Sequence, residues 1–302
     1  MAKNYLIVLL GPTGVGKTDL SIYLSNTFNA PILSSDSRQF FKEMKIGTAV
    51  PNIEQLNSAT HHFIGHKSVT ERYSCGMFEI DALNLLAEIH KTHKAAMLVG
   101  GSGLYIDALC NGIDDFPTPD AELRQSLLNQ LETHGIESLR HQLKLLDPEY
   151  YNSVDLKNPQ RVLKSLEVCL QTGKTYTSFL TNPSKERPFS IIKVGLNRDR
   201  EELYNRINLR VDEMMREGLL DEAKQLYPLK HLNALNTVGY RELFDYFDGK
   251  HSLETAIELI KRNSRRYAKR QLTWWTRDNA IQWFHPAQNE EIVQFLNEKL
   301  KE

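Results

Sequence analysis

Cysteine is scarce in this chain: Cys75, Cys110 and Cys169 are the only three among 302 residues. They lie far apart and outside any C-x-x-C or Cys/His pairing. That argues against zinc and against a disulfide framework, and it fits a reducing compartment. Long apolar runs are missing as well, and no stretch reaches the length needed to cross a bilayer. The N-terminus runs straight into an apolar strand and leaves no room for a signal peptide, so the expected setting is cytoplasmic and away from membranes. Neither sign of charge is in excess, the formal net charge being −1. Such a balance does not advertise a nucleic-acid partner, although a local basic face can hide inside a neutral total. There is no internal repeat, no low-complexity segment, no coiled-coil seam and no clear self-complementary patch, which leaves a monomer as the expectation. The 41% hydrophobic and 25% charged residues exclude disorder, and the length allows a large α/β domain with a smaller inserted one.

Against these absences stands one dense motif. Gly11-Pro12-Thr13-Gly14-Val15-Gly16-Lys17-Thr18 matches the phosphate-loop pattern G-x-x-x-x-G-K-[ST]. The pattern alone arises by chance, but here it sits between an apolar strand (residues 5–10) and a helix (residues 17–28). Glycines let consecutive N–H groups turn toward one anion. The helix N-terminus adds partial positive charge, Lys17 a full one, and the Thr18 hydroxyl can hold Mg²⁺. The chain is therefore expected to bind a di- or triphosphate group.

Further strands read at 31–35, ending at Asp36, and at 95–99, running into Gly100-Gly101-Ser102-Gly103. An irregular stretch at 47–70 and a helix at 76–93 separate them. Strand and helix in alternation predict an α/β fold, a parallel sheet of the phosphate-loop type flanked by helices. After Pro117 and Pro119 the pattern turns helical, over 119–133, 136–146 and 158–172, with a turn at 181–184. A strand returns at 189–196, helices follow, and a last short strand reads at 281–284. This divides the chain into a core (1–116 and 188–302) and a helical insertion (117–187).

In open α/β sheets ligands sit beyond the carboxyl ends of the strands, which brings the loop, Asp36 and the Gly100–Gly103 turn to one crevice. Asp36, followed by Ser37, Arg38 and Gln39, is either a site residue or the cap of the next helix. Arg206 and Arg210, four apart on one helix face, suit a pyrophosphate or a nucleic-acid phosphate, or form surface ion pairs with Glu201, Glu202 or Glu213. Lys261, Arg262, Arg265, Arg266, Lys269, Arg270 and Arg277 form a basic run with no acidic residue among them. On a helix, Arg262, Arg265, Arg266 and Lys269 share a stripe opposite Ile260, Tyr267, Leu272 and Trp275, which points to a polyanion. Trp274 and Trp275 read as core. No carboxylate ends the third strand, where NTP-hydrolysing proteins place a Mg²⁺-holding acid. That weakens a motor or GTPase reading. It leaves small-molecule kinases and enzymes with a pyrophosphate leaving group.

The phosphate loop together with Asp36-Ser37-Arg38-Gln39, Ile46-Gly47-Thr48-Ala49, Val99-Gly100-Gly101-Ser102-Gly103-Leu104-Tyr105, Asn158-Pro159-Gln160-Arg161-Val162, Gly239-Tyr240-Arg241-Glu242 and Ala268-Lys269-Arg270-Gln271-Leu272-Thr273-Trp274 resembles the tRNA dimethylallyltransferase family. The resemblance runs in order from about residue 6 to 285. It implies transfer of a dimethylallyl group from dimethylallyl pyrophosphate to the exocyclic amine of the adenosine just 3′ of a tRNA anticodon. Gly11, Pro12, Thr13, Gly14, Val15, Gly16, Lys17 and Thr18 would then hold the donor pyrophosphate, with Mg²⁺ on Thr18. Asp36 would act as base on the amine, and Thr13 and Arg210 would contact the pyrophosphate near the reacting centre.

By the same resemblance Asp36, Ser37, Arg38, Gln39, Ser102, Arg124, Gln160, Arg161, Val162, Leu163 and Lys164 would contact tRNA, and the insertion would grip its anticodon stem-loop. Arg265, Arg266, Lys269 and Arg270 join them on charge pattern alone. The sequence departs from the family at Val50, where a lysine is usual, and it lacks the zinc-finger extension of some eukaryotic members, which suggests a bacterial or organellar type. Two rival readings are a small-molecule kinase and a nucleotide-switched RNA-binding module.

Overall fold

The run Tyr5–Leu10 is apolar at every position because both faces of this strand are covered. In the computed structural model, which describes residues 3–181 and 185–301, it is the fully buried β1. The other strands among the described residues are β2 (Ile32–Ser34), β3 (His61–His62), β4 (Ala95–Gly100), β5 (Ser190–Leu196) and β6 (Ile281–Phe284). They form one sheet in the order β3-β2-β4-β1-β5-β6, with every adjacent pair parallel. Side chains alternate across the strand. Tyr5, Ile7 and Leu9 therefore pack with α1 (Lys17–Phe28) on one face, whereas Leu6, Val8 and Leu10 pack on the other with α3 (Cys75–Ile89), which follows the short α2 (Ile53–Ser58), and with α4 (Gly103–Asn111).

The stretch read as irregular contains two elements, α2 and the edge strand β3. Both are too short to show a period, but a local signal existed. Asn52 and Gln55 form a reciprocal capping box at the start of α2.

Two compact units divide the chain, residues 1–110 with 186–302, and residues 111–185. The second unit thus starts at Asn111, ahead of the prolines taken as its boundary. It contains α5 (Ala121–Leu146), α6 (Pro148–Ser153) and α7 (Pro159–Thr172). α5 is interrupted at Gly135, whose φ of 72° and ψ of 178° are not helical, so the two helices read at 119–133 and 136–146 meet at a break. Leu127, Leu139, Leu143, Val162, Leu163 and Leu166 make the core of this unit. The turn read at 181–184 falls on Asn182, Pro183 and Ser184, which lie outside the described residues.

The chain returns through β5 to α8 (Arg200–Arg216), α9 (Leu219–Leu226), α10 (Tyr240–Phe247), the long α11 (Leu253–Trp275) and, after β6, α12 (Asn289–Lys299). A third apolar cluster joins the end of α8, α9, α10 and the first half of α11 to the segment around Phe41 and Met44.

Asp147 is the polar keystone of the second unit. Only 1% exposed, it caps α6 by accepting from the Tyr150 N–H at 2.9 Å, and it accepts from both the N–H (2.8 Å) and the hydroxyl (2.9 Å) of Thr177. Asp147→Ala should destabilise the protein by about 2–3 kcal/mol, the sum of a lost cap and stranded buried donors. A denaturant midpoint unchanged from wild type would contradict that role.

Candidate active site

The loop between β1 and α1 takes its shape from Gly16, whose φ of 107° caps α1 in the left-handed region. The first amides of α1 have no intrahelical partner, which suits an anion at this end of the helix. Lys17 folds back over it, its Nζ donating to the carbonyls of Gly11 (2.7 Å) and Pro12 (2.9 Å). Burial pulls the Lys17 ammonium down to about 7. The Asp36 carboxylate resists that shift and Arg210 reinforces it.

Three arginines clasp the same loop from outside. Arg198 Nε donates to the Val15 carbonyl at 2.8 Å, Arg206 Nε to the Gly14 carbonyl at 3.0 Å, and Arg210 Nη1 to the Thr13 hydroxyl at 3.4 Å. Arg206 and Arg210 thus share a face of α8, and that face looks at the loop. Of the alternative partners, Glu202 pairs instead with Arg198 and Glu213 with Arg216. Arg198 was not anticipated. It lies in the β5–α8 turn, where no residue spacing marks a ligand.

Asp36 follows β2, and its Oδ1 accepts from the Arg38 N–H at 3.0 Å. It caps a tight turn over 37–40, since no helix follows it. Its neighbours are tied to other elements. The Ser37 N–H donates to Ser102 Oγ at 3.0 Å, and Gln39 Nε2 donates to the carbonyls of Thr48 (3.2 Å) and Ala49 (3.1 Å). Arg38 reaches the Asn233 carbonyl at 3.3 Å, and burial lowers the pKa of its guanidinium.

The segment that receives Gln39 is itself clamped. Glu222 of α9 accepts from the N–H groups of Lys45, Ile46 and Gly47 at 2.8–2.9 Å and from the Tyr240 hydroxyl at 2.6 Å. Burial first, and then the Asp36 carboxylate, push the Tyr267 phenol up to about 12. That shift brings into the site a residue whose spacing had placed it in the core stripe.

Two glycines allow this convergence. A Cβ on Gly100 would stand 2.2 Å from Ser35 Oγ, and one on Gly101 would stand 2.2 Å from Gln271 Nε2. The Gly-Gly pair at the end of β4 therefore lets the end of β2 and the Gln271 side chain of α11 approach its backbone directly.

The basic run of α11 separates into two groups. Lys261 is neutralised by Asp212 (2.8 Å) and Glu258 (3.1 Å), and Arg277 pairs with Asp107 (2.6 Å) while stacking on Trp274. Arg265 bonds Asn208 Oδ1 at 2.5 Å. Arg266, Lys269 and Arg270 are exposed and, among the described residues, have no acidic partner.

In the second unit Gln160 and Arg161 are exposed on α7, and Arg124 and Lys164 converge on the buried Glu167 at 3.0 and 3.7 Å. The side chains of Val162 and Leu163 do not face outward with those of Gln160 and Arg161. They are 0% and 2% exposed in the leucine core, because α7 turns them inward, so their side chains cannot meet a polyanion.

Residues 39–278 match the family described as IPP transferase. The chain belongs to that family. Its relatives include tRNA dimethylallyltransferase 1 of Bacteroides fragilis, 54% identical with all of both chains covered, and tRNA dimethylallyltransferase of Christiangramia forsetii, 54% identical over 99% of each. Among solved structures it resembles the full-length tRNA isopentenylpyrophosphate transferase of Bacillus halodurans, with a TM-score of 0.73 and 36% identity over 99% of this chain and 97% of that one. It also resembles a eukaryotic dimethylallyltransferase acting on tRNA, with a TM-score of 0.76 and 30% identity over 90% of this chain and 70% of that one. The IPP transferase match begins at Gln39, after the phosphate loop and Asp36, and the full-length relatives extend the likeness across both.

Lys17 makes anion binding depend on pH in a fixed direction. With its pKa at about 7, the amine is charged below neutrality and increasingly neutral above it, so as pH rises, binding a diphosphate requires the lysine to take up a proton. The affinity advantage of wild type over Lys17→Met for a prenyl diphosphate, measured by calorimetry, should shrink between pH 7 and 8.5 by at most about tenfold per pH unit. An advantage that stays constant over that range would mean the lysine is charged throughout.

Proposed function

We propose that this chain transfers a dimethylallyl group from dimethylallyl pyrophosphate to the exocyclic amine of the adenosine just 3′ of the tRNA anticodon. The observation that carries this reading is the pairing of an anion-binding loop, ringed by Arg198, Arg206 and Arg210, with Asp36 close enough to bear on both Lys17 and Arg210. The loop and its cations stabilise charge on the departing pyrophosphate. The adenine amine is a poor nucleophile, and Asp36 takes its proton as the new C–N bond forms. The base must leave the stacked anticodon loop to reach this crevice. Ser37, Arg38, Gln39 and Ser102 line the adenosine side. Arg124, Gln160, Arg161 and Lys164 engage the stem-loop from the second unit, and Arg265, Arg266, Lys269 and Arg270 contact phosphates. The protein acts as a cytoplasmic monomer.

Mg²⁺ fits this donor set as a guest of the substrate. Among the described residues no group of three or more His, Cys, Asp or Glu could cage a metal. Thr18, at the start of α1, supplies one hard oxygen, which suits a cation that keeps its waters and takes further ligands from a diphosphate. Bound there, Mg²⁺ would offset charge on the leaving group.

Mass spectrometry of unmodified tRNA incubated with the protein, Mg²⁺ and dimethylallyl pyrophosphate should show a prenyl mass gain on the anticodon-loop adenosine. No gain with donor, together with ATP consumption on candidate small molecules, would move the reading to a kinase. Asp36→Ala should lower turnover about 10²–10⁴-fold, the usual effect of a positioned base. Undiminished turnover would remove Asp36 from that role. Arg266→Ala with Lys269→Ala should weaken tRNA binding and flatten its salt dependence by roughly two ion equivalents; an unaltered slope would take α11 out of the interface.

A further inference from the structure

Gln271 is a polar residue where an apolar one is expected. It lies on the buried stripe of α11 with Ile260, Ala268 and Trp275, and only 6% of it is exposed. Both ends of its amide are engaged. Oε1 accepts from the Thr13 N–H at 2.9 Å, and Nε2 donates to the Gly101 carbonyl at 2.8 Å.

Each end of this bridge leads to one half of the site. Thr13 belongs to the phosphate loop, and with its N–H taken by Gln271 its hydroxyl is turned to Arg210. Gly101 precedes Ser102, whose Oγ accepts from the Ser37 N–H at 3.0 Å, and Ser37 adjoins Asp36. One side-chain amide thus closes a chain of contacts from the donor loop to the base. The fit is specific at both ends, because any side chain on Gly101 would occupy the place of Nε2.

We propose that Gln271 is a positioning residue that sets the register between the phosphate loop and the Asp36 turn, and so aligns the breaking C–O bond of the donor with the attacking amine. The inference rests on the transferase reading given above. In-line transfer is sensitive to displacements of about 1 Å, which can cost about 10²-fold in rate. The bridge makes no contact with solvent-facing cations of α11, so its loss acts on alignment at the reacting atoms and changes the tRNA affinity carried by those cations little.

The test uses the donor–acceptor pattern of the amide. Gln271→Glu keeps the acceptor toward Thr13 but places a second acceptor against the Gly101 carbonyl. Once protonated, the carboxyl restores the missing donor, and burial raises its pKa above the ordinary carboxylate range. With kcat, KM and tRNA Kd measured between pH 5.5 and 8.5, Gln271→Glu should fall about 10- to 100-fold below wild type in kcat at pH 8. Its tRNA Kd should stay within about twofold, and the ratio of the two kcat values should climb toward unity as pH falls.

Gln271→Met, which keeps the volume and removes both bonds, should lose kcat at every pH without that recovery. If melting curves show that Gln271→Glu is unfolded, Gly101→Ala carries the test from the other end of the bridge, with the same kcat loss at unchanged tRNA Kd. A kcat ratio that does not vary with pH, or a tRNA Kd that weakens as much as kcat falls, would overturn the assignment. Wild type inactive in the same assay would instead overturn the transferase reading.

Discussion

The site depends on how closely three parallel strands finish together. β1, β2 and β4 are buried along almost their whole length, so their carboxyl ends have little freedom of their own. What brings those ends into contact is the absence of a side chain at Gly100 and Gly101, where any Cβ would overlap Ser35 or Gln271. Backbone groups, which neither rotate nor lose rotamer entropy on binding, thereby become the frame on which Thr13, Asp36 and Ser102 are mounted. A loop that binds anions is common. A loop whose amides are locked to the turn carrying the base is a more demanding construction.

Electrostatics and burial work against one another at the loop. Cations gather because carbonyls of the loop are available to hold their side chains, as Arg198, Arg206 and Lys17 demonstrate. Burial then penalises the charge that has gathered, and Lys17 responds by loosening its proton. Asp36 is the counterweight, opposing the fall that burial imposes on both Lys17 and Arg210. The same acid that serves as the proposed base therefore helps keep the anion site cationic, which couples the two halves through charge as well as through contacts. The cations of α11 answer to different physics. Arg266, Lys269 and Arg270 are exposed and unpaired by acids among the described residues, so salt screens their charge within about 10 Å.

Periodicity and motif register made much of this legible. The all-apolar Tyr5–Leu10 identified a doubly covered strand, the strand-to-helix setting of Gly11–Thr18 identified the loop, and the break at Gly135 separated two helical patterns. Strand order was not legible, because parallel pairs such as Tyr5 with Ser190 join residues that no local pattern connects. Val162 and Leu163 differ from their motif neighbours because a helix turns each residue by about 100°, so both side chains fall on the buried side while Gln160 and Arg161 stay exposed. Arg198 and Glu222 went unread because their partners are backbone groups, which every residue has and no composition reveals. Gln271 did leave a trace, since a glutamine four residues before Trp275 falls on the apolar face. A polar residue on such a stripe must find buried partners.

The insertion enters between α4 and β5 almost without disturbing the sheet, and one backbone bond explains how. The Lys185 N–H donates to the Asn111 carbonyl at 2.9 Å, so the module begins and ends at the same place. For the folding core, a formed insertion then counts as a short link between Asn111 and Lys185. The loop that closes when β5 docks on β1 is shortened accordingly, and by the logarithmic scaling of closure entropy the saving is only about half a kilocalorie per mole. The core is thus nearly indifferent to the module's length. Its helices are free to change in length and number while the strands of the core stay unchanged.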